Sequence, residues 1–158
     1  LVRTYQSKDL ANEYELKDKA SIFLNFGLFL DYNNIIFNTE YGQRESHSFY
    51  ADLHGFYTTL GYRYKNIIPY ISYAKLKMDQ KTSNTGSSIL DSIMKVQNVA
   101  QSSRTIGFKY YINKNLDFKF EYQRITPKGV YGGFYIDPTD QYPNTKSDVY
   151  SFVLDFVF

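Results

Sequence analysis

The sequence predicts an all-β protein, an antiparallel β-barrel that crosses a membrane, and three observations lead to this fold class. Apolar and polar residues alternate one by one along several segments, which is the period of a strand with two different faces. Tyr and Phe make up 19% of the chain, yet its mean hydropathy is −0.44. Short and long connections alternate between the segments. Membrane barrels combine these features, because their wall is apolar outside and wet inside.

Two segments show the alternation most clearly. In residues 20–32 every even position is apolar or aromatic, whereas the odd positions include Asn25, Gly27 and Asp31. In residues 116–123 Leu, Phe and Tyr alternate with Asp, Lys, Glu and Gln. Side chains of a strand point alternately to its two faces, so each segment predicts a strand with one apolar and one polar face.

Other segments follow the same pattern less strictly. Further strands are predicted at residues 35–43, 49–64, 67–78, 105–112 and 149–158. The second of these changes the parity of its apolar positions near Gly55, which predicts a β-bulge there. With an opening fragment at residues 1–5, the count reaches about eight strands. Because the chain begins inside this fragment, we expect residues 1–158 to be one barrel domain and the C-terminal portion of a longer chain.

The connections have two lengths. Residues 32–34, 65–66 and 113–115 form short, Asn-containing segments that predict tight turns, since Asn tolerates the left-handed backbone of such turns. Residues 7–19, 44–48, 79–102 and 126–147 are longer and polar. Within the third of these, the apolar spacing predicts a short helix at residues 88–97, capped by Ser87 or Ser88. Short turns at one end and long loops at the other are typical of outer-membrane barrels.

Tyrosines near the short turns predict an aromatic belt at a membrane boundary. Such a ring buries its body in the apolar zone and hydrates its hydroxyl. The residues expected on the outward, apolar side of the wall are Tyr32, Tyr62, Tyr64, Tyr70 and Tyr110. The chain has no run of roughly 18 uninterrupted apolar residues, so no membrane helix is predicted.

Charged residues on the opposite parity are the candidates for lining a water-filled pore. Such side chains set an electric field that favours solutes of one charge. The slight basic excess of this set predicts a mild preference for anions. The competing interpretation is that these charges pair with neighbours across the wall. The predicted pore-lining residues are Glu40, Arg44, Arg63, Lys75, Lys109, Asp117, Lys119 and Glu121.

Other chemistry finds little support in the sequence. The chain has no Cys and only two His, His47 and His54, whose spacing matches no metal-ligand motif. The pair Gly132 and Gly133 lacks the Gly-Lys-Ser/Thr ending of a phosphate-binding loop. Basic and acidic residues number 18 and 16, so no nucleic-acid partner is predicted. No metal site, cofactor or catalytic residue is therefore predicted.

Several stretches resemble the second half of Gram-negative outer-membrane porins. They read GYRYKN at residues 61–66, PYISY at 69–73, KYYINKNL at 109–116, EYQRI at 121–125 and SFVLDFVF at 151–158. The resemblance covers residues 20–158, and the ending is its most specific part. Alternating aromatic and apolar residues before a terminal Phe resemble the sorting signal that the outer-membrane insertion machinery reads, here Tyr150, Phe152, Leu154, Phe156 and Phe158.

This resemblance implies a fold and a function. The porins that this chain resembles form sixteen-stranded barrels, which assemble as homotrimers in the outer membrane of Gram-negative bacteria. We therefore expect this chain to supply about half of such a barrel. The expected function is passive diffusion of small hydrophilic solutes through a water-filled channel. Outer-membrane lipid and the insertion machinery are the expected partners, and no enzyme activity is expected.

Two alternatives remain open. The chain could form a small closed barrel of about eight strands, in which side chains nearly fill the interior. Such a protein would act through its extracellular loops as an adhesion, binding or structural envelope protein. An outer-membrane hydrolase is the weakest alternative. It would need a Ser and a His on the outer wall, for which His54 beside Asp52, together with Ser72, are the candidates.

Overall fold

A single antiparallel sheet of seven strands makes up most of the structure. The computed structural model describes residues 19–47, 50–79, 88–95, 97–128 and 145–157. Within them each strand pairs with the next strand in the chain. The prediction of an all-β antiparallel fold is confirmed. The elements are β1 (Ser21–Tyr32), β2 (Ile35–Ser46), β3 (Asp52–Tyr62), β4 (Ile67–Asp79), α1 (Ser88–Lys95), β5 (Ala100–Asn113), β6 (Leu116–Pro127) and β7 (Ser147–Phe156).

Three tight turns lie at one end of the sheet, which we call the short-turn end. Asn33 and Asn34 connect β1 to β2 with φ angles of 47° and 67°, and Lys65 has a φ of 52° in the turn between β3 and β4. In the third turn the backbone N–H of Asn115 donates to Oδ1 of Asn113 at 2.8 Å. All three predicted turns are confirmed, and the positive φ angles explain why two of the positions carry Asn.

The other end of the sheet, the loop end, holds the longer connections. They join β2 to β3, β4 to β5 and β6 to β7. The predicted helix is present as α1, two residues shorter than expected. Most of the last predicted loop and the opening fragment at residues 1–5 lie outside the described residues. In the described ranges no helix is both long enough and apolar enough to cross a membrane.

The strand register places one row of directly opposed apolar and aromatic residues across all seven strands. Directly opposed residues of an antiparallel sheet share a face. We call the face with this row the apolar face, and the other the polar face. The row consists of Leu30, Phe37, Leu60, Ile71, Ile106, Tyr122 and Tyr150.

The hairpins are staggered relative to this row. Toward the short-turn end, β1 extends two residues beyond the row to Tyr32. β4 begins four residues from the row at Ile67, and β6 begins six residues from it at Leu116. Each hairpin therefore reaches two residues further than the one before, which is one residue per strand. The sheet is sheared in a constant direction.

The predicted bulge near Gly55 is wrong. β3 pairs with both β2 and β4 through Gly55 without a shift of register. Leu53, an apolar residue before Gly55, simply lies on the polar face, whereas Phe56 and Leu60 after it lie on the apolar face. An irregularity is found instead between Tyr111 and Asn113, beside the third turn.

Exposure is distributed in the opposite way from a water-soluble sheet. On the inner strands, Ile71 and Ile106 of the apolar face are each 58% exposed. The edge strand β1 is open on both sides, since Phe23 and Phe29 on its polar face are 74% and 63% exposed. On the polar face the side chain of Asp117 is only 16% exposed and that of Glu121 26%. Among the described residues the buried apolar side chains are few, namely Ala51, Ile68, Val99 and Ile125. No apolar core lies under either face of the described sheet.

The sheet is open along both edges. Within the described part of the chain, β1 pairs with β2 alone and β7 with β6 alone. The described strands number seven against the predicted count of about eight, and they do not close into a barrel.

Candidate functional site

The polar face collects most of the residues predicted to line a pore. By register Glu40 and Arg44 of β2 lie on it, and so do Lys109 of β5 and Asp117, Lys119 and Glu121 of β6. Arg63 follows β3 and reaches the same face, because its guanidinium binds Asp31 of β1. The structure thus brings seven of the eight predicted residues to one surface.

Lys75 is the exception, and its predicted position is wrong. It lies directly opposite Phe56 of β3 and Ser102 of β5, so it projects from the apolar face. Tyr70 was expected on the apolar side and lies instead on the polar face, opposite Gly107. Both errors have one cause. Apolar residues occupy both parities of β4, so alternation could not decide which face is which.

Most basic residues of the polar face form ion pairs with acidic residues of the same face. The Arg63 guanidinium donates to both carboxylate oxygens of Asp31, at 3.1 and 2.7 Å. These hydrogen bonds raise the pKa of Arg63. Lys109 Nζ lies 2.9 Å from Asp117 Oδ2, and the corresponding Lys119–Glu121 distance is 3.1 Å. The alternative that these charges pair with neighbours is supported for three of the four basic residues.

Two acidic residues on the polar face were missed as site residues. Asp31 has the polar parity of β1, and Asp155 of β7 is directly opposite Asp117. The alternation pattern already carried this signal, because both lie between apolar neighbours. With Lys75 removed and these two added, the described polar face holds four basic and five acidic residues. The basic excess that predicted anion preference is therefore absent from this surface.

Glycines indicate that the polar face is the concave one. On the concave side of a curved sheet side chains converge, so space is shortest there. A Cβ at Gly107 would lie 2.6 Å from the carbonyl oxygen of Phe120 and 2.8 Å from the Tyr70 ring. The low exposure of Asp117 and Glu121 agrees with this curvature. All strand glycines of the described sheet lie on this face, namely Gly27, Gly42, Gly55, Gly61 and Gly107.

Two of these glycines form the floor of a cavity of about 630 Å³ toward the loop end. Gly42 and Gly55 are directly opposed, and Asn25 and Leu76 flank them in the same row. A Cβ at Gly55 would lie 2.8 Å from Leu76 Cδ1. We call this cavity the glycine depression. Any larger residue at its floor would reduce its depth.

Polar groups border the glycine depression. Glu40 accepts hydrogen bonds from the Asn25 amide and, at 3.2 Å, from the Tyr57 hydroxyl. Arg44 donates through Nη2 to the carbonyl oxygen of Ala51 at 3.0 Å. Its Nε is buried and has no hydrogen-bond partner in the described part of the chain. The depression therefore offers an acceptor and an unused donor beside apolar surface, which suits a small polar solute.

Residues considered for other chemistry do not come together. Ser72 lies on the polar face, where it bonds the Thr59 hydroxyl at 2.8 Å, whereas His54 lies on the apolar face beside Asp79. Asp52 accepts the backbone N–H of Ser46. The described ranges hold no group of three side chains suited to a metal ion. Gly132 and Gly133 lie outside them.

The predicted sorting signal lies along one face of β7. Tyr150, Phe152, Leu154 and Phe156 are directly opposed to Tyr122, Phe120, Phe118 and Leu116 of β6, and these four project from the apolar face. Phe118, Phe120 and Phe152 form a chain of ring contacts there, with centroids 5.0 to 6.4 Å apart. The described members are Tyr150, Phe152, Leu154 and Phe156, and Phe158 lies outside the described residues.

Comparison with known proteins gives no relative for this chain. No protein-family model, no curated protein and no solved structure matches it. Its function has to be inferred from the sheet itself.

Proposed function

We propose that the sheet is part of the wall of an outer-membrane β-barrel, and that this barrel is a porin for passive diffusion of small hydrophilic solutes. The observation that carries the proposal is the inverted exposure of the two faces. On the inner strands, Ile71 and Ile106 are open on one face, while Asp117 and Glu121 are sheltered on the other. Hydrocarbon outside the barrel would suit the apolar face, and water inside the barrel would suit the polar face.

Water is a poor environment for the apolar face. Covering a Leu or Phe side chain stabilises a protein by about 1.5–3 kcal/mol relative to leaving it exposed. Soluble monomers seldom expose a continuous apolar patch beyond a few hundred Å². Here one continuous face runs through seven strands. A lipid bilayer would cover that face without any further protein.

Tyrosines at both limits of the apolar zone support a bilayer as the cover. Transmembrane barrels have an apolar band flanked by aromatic residues at both interfaces. Near the short turns the apolar face carries Tyr32, Tyr62, Tyr64 and Tyr110. Toward the loop end it carries Tyr41, Tyr73, Tyr122 and Tyr150. The second set was not predicted from the sequence, because those positions are not next to a turn.

The stagger of the hairpins supports closure into a tilted barrel. An eight-stranded barrel with a shear of eight, one residue per strand, has strands tilted by about 36°. Strands of transmembrane barrels tilt by about 35–45°. The stagger of one residue per strand found here corresponds to the lower limit of that range. A flat sheet that packs on a soluble core would not require this constant shear.

Further strands would have to complete the barrel. Unpaired backbone groups are not tolerated in hydrocarbon, so the open edges of β1 and β7 need partners. About sixteen strands enclose a water-filled channel, whereas about eight leave an interior that side chains fill. We propose the larger, trimeric barrel, with its polar face toward the water and the glycine depression as a contact site for passing solutes. The near balance of paired charges implies weak charge selectivity.

Single-channel recording in a planar lipid bilayer tests the proposal. The purified protein that contains this chain together with the strands that complete the barrel, added in detergent, is expected to give stepwise increases in conductance. Two matched variants test which face lines the channel. Gln123→Lys adds a positive charge on the polar face and is expected to shift the reversal potential in a salt gradient toward anions. Gln43→Lys makes the same change on the apolar face and should leave it unchanged.

Two results would contradict the proposal. Insertion into lipid without any conductance would favour the small closed barrel that acts through its loops. Equal shifts of reversal potential in Gln123→Lys and Gln43→Lys would mean that the polar face does not line the path of ions.

A further inference from the structure

Basic residues gather on the apolar face just beyond its tyrosines at the loop end. They lie on the three adjacent strands β4, β5 and β6 or directly after β6. We call them the basic patch, which consists of Lys75, Lys77, Arg104, Arg124 and Lys128. No pore-lining role is open to these residues, because they project from the opposite face to Asp117 and Glu121.

The patch surrounds two hydroxyl-bearing residues. Ser102 is directly opposed to Lys75 on one side and to Thr126 on the other. One row closer to the apolar zone, Arg104 is directly opposed to Arg124. One row further out, the backbone N–H of Lys128 donates to the carbonyl oxygen of Ala100 at 2.7 Å. Basic side chains thus surround the hydroxyl groups of Ser102 and Thr126, and such a combination of donors is suited to bind phosphate oxygens.

Internal acids neutralise only part of this charge. Lys77 Nζ pairs with Asp79 at 2.5 Å, and Arg124 pairs with Asp148 at 2.8 Å. Within the described part of the chain, Lys75, Arg104 and Lys128 make no ion pair, and all three are exposed. The remaining cations are therefore available to an external anion.

The arginine pair points independently to an anionic ligand. Like charges directly opposed in a sheet destabilise it. Arg104 and Arg124 are opposed in this way, and Asp148 compensates Arg124 alone. An anion between the two guanidinium groups would remove the repulsion, and Arg is well suited to bind phosphate in a bidentate geometry.

The position of the patch indicates which anion. Arg104 lies opposite Tyr73, and the next row toward the short turns holds Ile71, Ile106 and Tyr122. A ligand with a phosphate on the patch would thus place any attached hydrocarbon along the apolar face. Basic clusters at a membrane boundary attract anionic lipids in the same way. We infer that the basic patch binds the phosphate of a lipid headgroup in the leaflet at the loop end. This inference rests on the proposed membrane barrel.

Native mass spectrometry of the purified protein that contains this chain and the strands completing the barrel, in a non-ionic detergent, measures such binding directly. The probes are phosphatidylglycerol, which carries a net negative charge, and phosphatidylcholine, which is neutral overall. We expect retention of phosphatidylglycerol in preference to phosphatidylcholine. The double variant Lys75→Gln, Arg104→Gln should weaken that binding by about tenfold or more, since each cation near a lipid surface contributes on the order of 1 kcal/mol.

The matched control removes two charges at the other end of the sheet. Lys65→Gln, Lys114→Gln changes two exposed turn residues and should retain the preference for phosphatidylglycerol. Equal losses in the two double variants, or equal retention of the two lipids by the unchanged chain, would overturn the inference. Displacement of the lipid by millimolar inorganic phosphate would also overturn it, because the patch would then be a general anion site.

Channel recording separates this inference from the proposed function. If the unchanged chain conducts but shows no lipid preference, the patch has no lipid role and the porin proposal stands. If the chain neither conducts nor associates with vesicles of either lipid, the barrel proposal itself fails.

Discussion

Phe118 and Gln123 lie on the same strand and face opposite ways, and this difference can be measured at the level of single residues. Phe118 contacts the rings of Phe108 and Phe152 on the apolar face, whereas Gln123 donates to the Thr105 hydroxyl on the polar face. A buried soluble core would favour an apolar residue at Phe118 just as lipid does. A charged substitution lowers the free energy of unfolding in both environments. The size of that loss, and its dependence on depth in the membrane, distinguish lipid from a soluble core.

In the proposed membrane barrel, Phe118→Arg is expected to lower the free energy of unfolding in lipid vesicles by about 2–4 kcal/mol, because the charge would enter the hydrocarbon near its midplane. Gln123→Arg should change it little, since that side chain meets water. Denaturant titration of both variants in vesicles gives the comparison. Equal effects at the two positions would contradict the assignment of the faces.

Gly107→Ala tests the crowding on the concave side. Its Cβ would lie 2.6 Å from a backbone oxygen and 2.8 Å from the Tyr70 ring, so the sheet has to move. We expect a loss of about 1–3 kcal/mol in the free energy of unfolding. Gly61→Ala is the control, because the nearest atom there is 3.4 Å away. A Gly107→Ala variant as stable as Gly61→Ala would argue against the curvature.

At the scale of strands and turns, the strength of the sequence pattern determined what could be predicted. β1 and β6 alternate strictly, so their faces are those expected. β4 carries Ile71 and Tyr73 on one face but Tyr70 and Leu76 on the other, so its parity could be read either way. Only the hydrogen-bonded pairing with the neighbouring strands determines which side chains of such a strand lie on which face. For this reason Lys75 and Tyr70 were assigned to the wrong faces.

The turn between β1 and β2 provides a test of an element that the sequence predicted well. Asn34→Val places a β-branched residue at a φ of 67° and should destabilise the hairpin by about 1–2 kcal/mol. Asn34→Gly should retain or increase stability, because Gly accepts this backbone freely. Urea titration of the two variants distinguishes a backbone effect from loss of the Asn side chain. Similar losses in both would contradict the turn geometry.

For the whole molecule, closure is the property that neither the alternation nor the described sheet determines. Alternation separates the apolar face from the polar face, and the register adds the direction of shear. The number of strands depends on what pairs with the free edges of β1 and β7. That pairing is not determined by the pattern of any single strand, so the sequence could predict the two faces of the sheet but not the total number of strands.

Removal of Phe158 tests assembly of the whole protein. If the ending is read as a sorting signal, deletion of this residue should reduce insertion into the outer membrane, measured as the fraction of protein in the outer-membrane pellet of expressing cells. Phe158→Tyr, which keeps an aromatic ring at the end, should insert normally. Unimpaired insertion after the deletion would contradict the sorting role of the terminal Phe.

The order of strands in the sheet also constrains how the protein can assemble. Because every described strand lies beside its neighbours in the chain, none of these strands has to pass over or through another. Hairpins can join one after another, and each hairpin is itself closed by a short turn, which is the least costly kind of loop to close. Each hairpin that joins covers the previous edge of the sheet and exposes a single new edge, so unpaired backbone at the growing side never exceeds one strand.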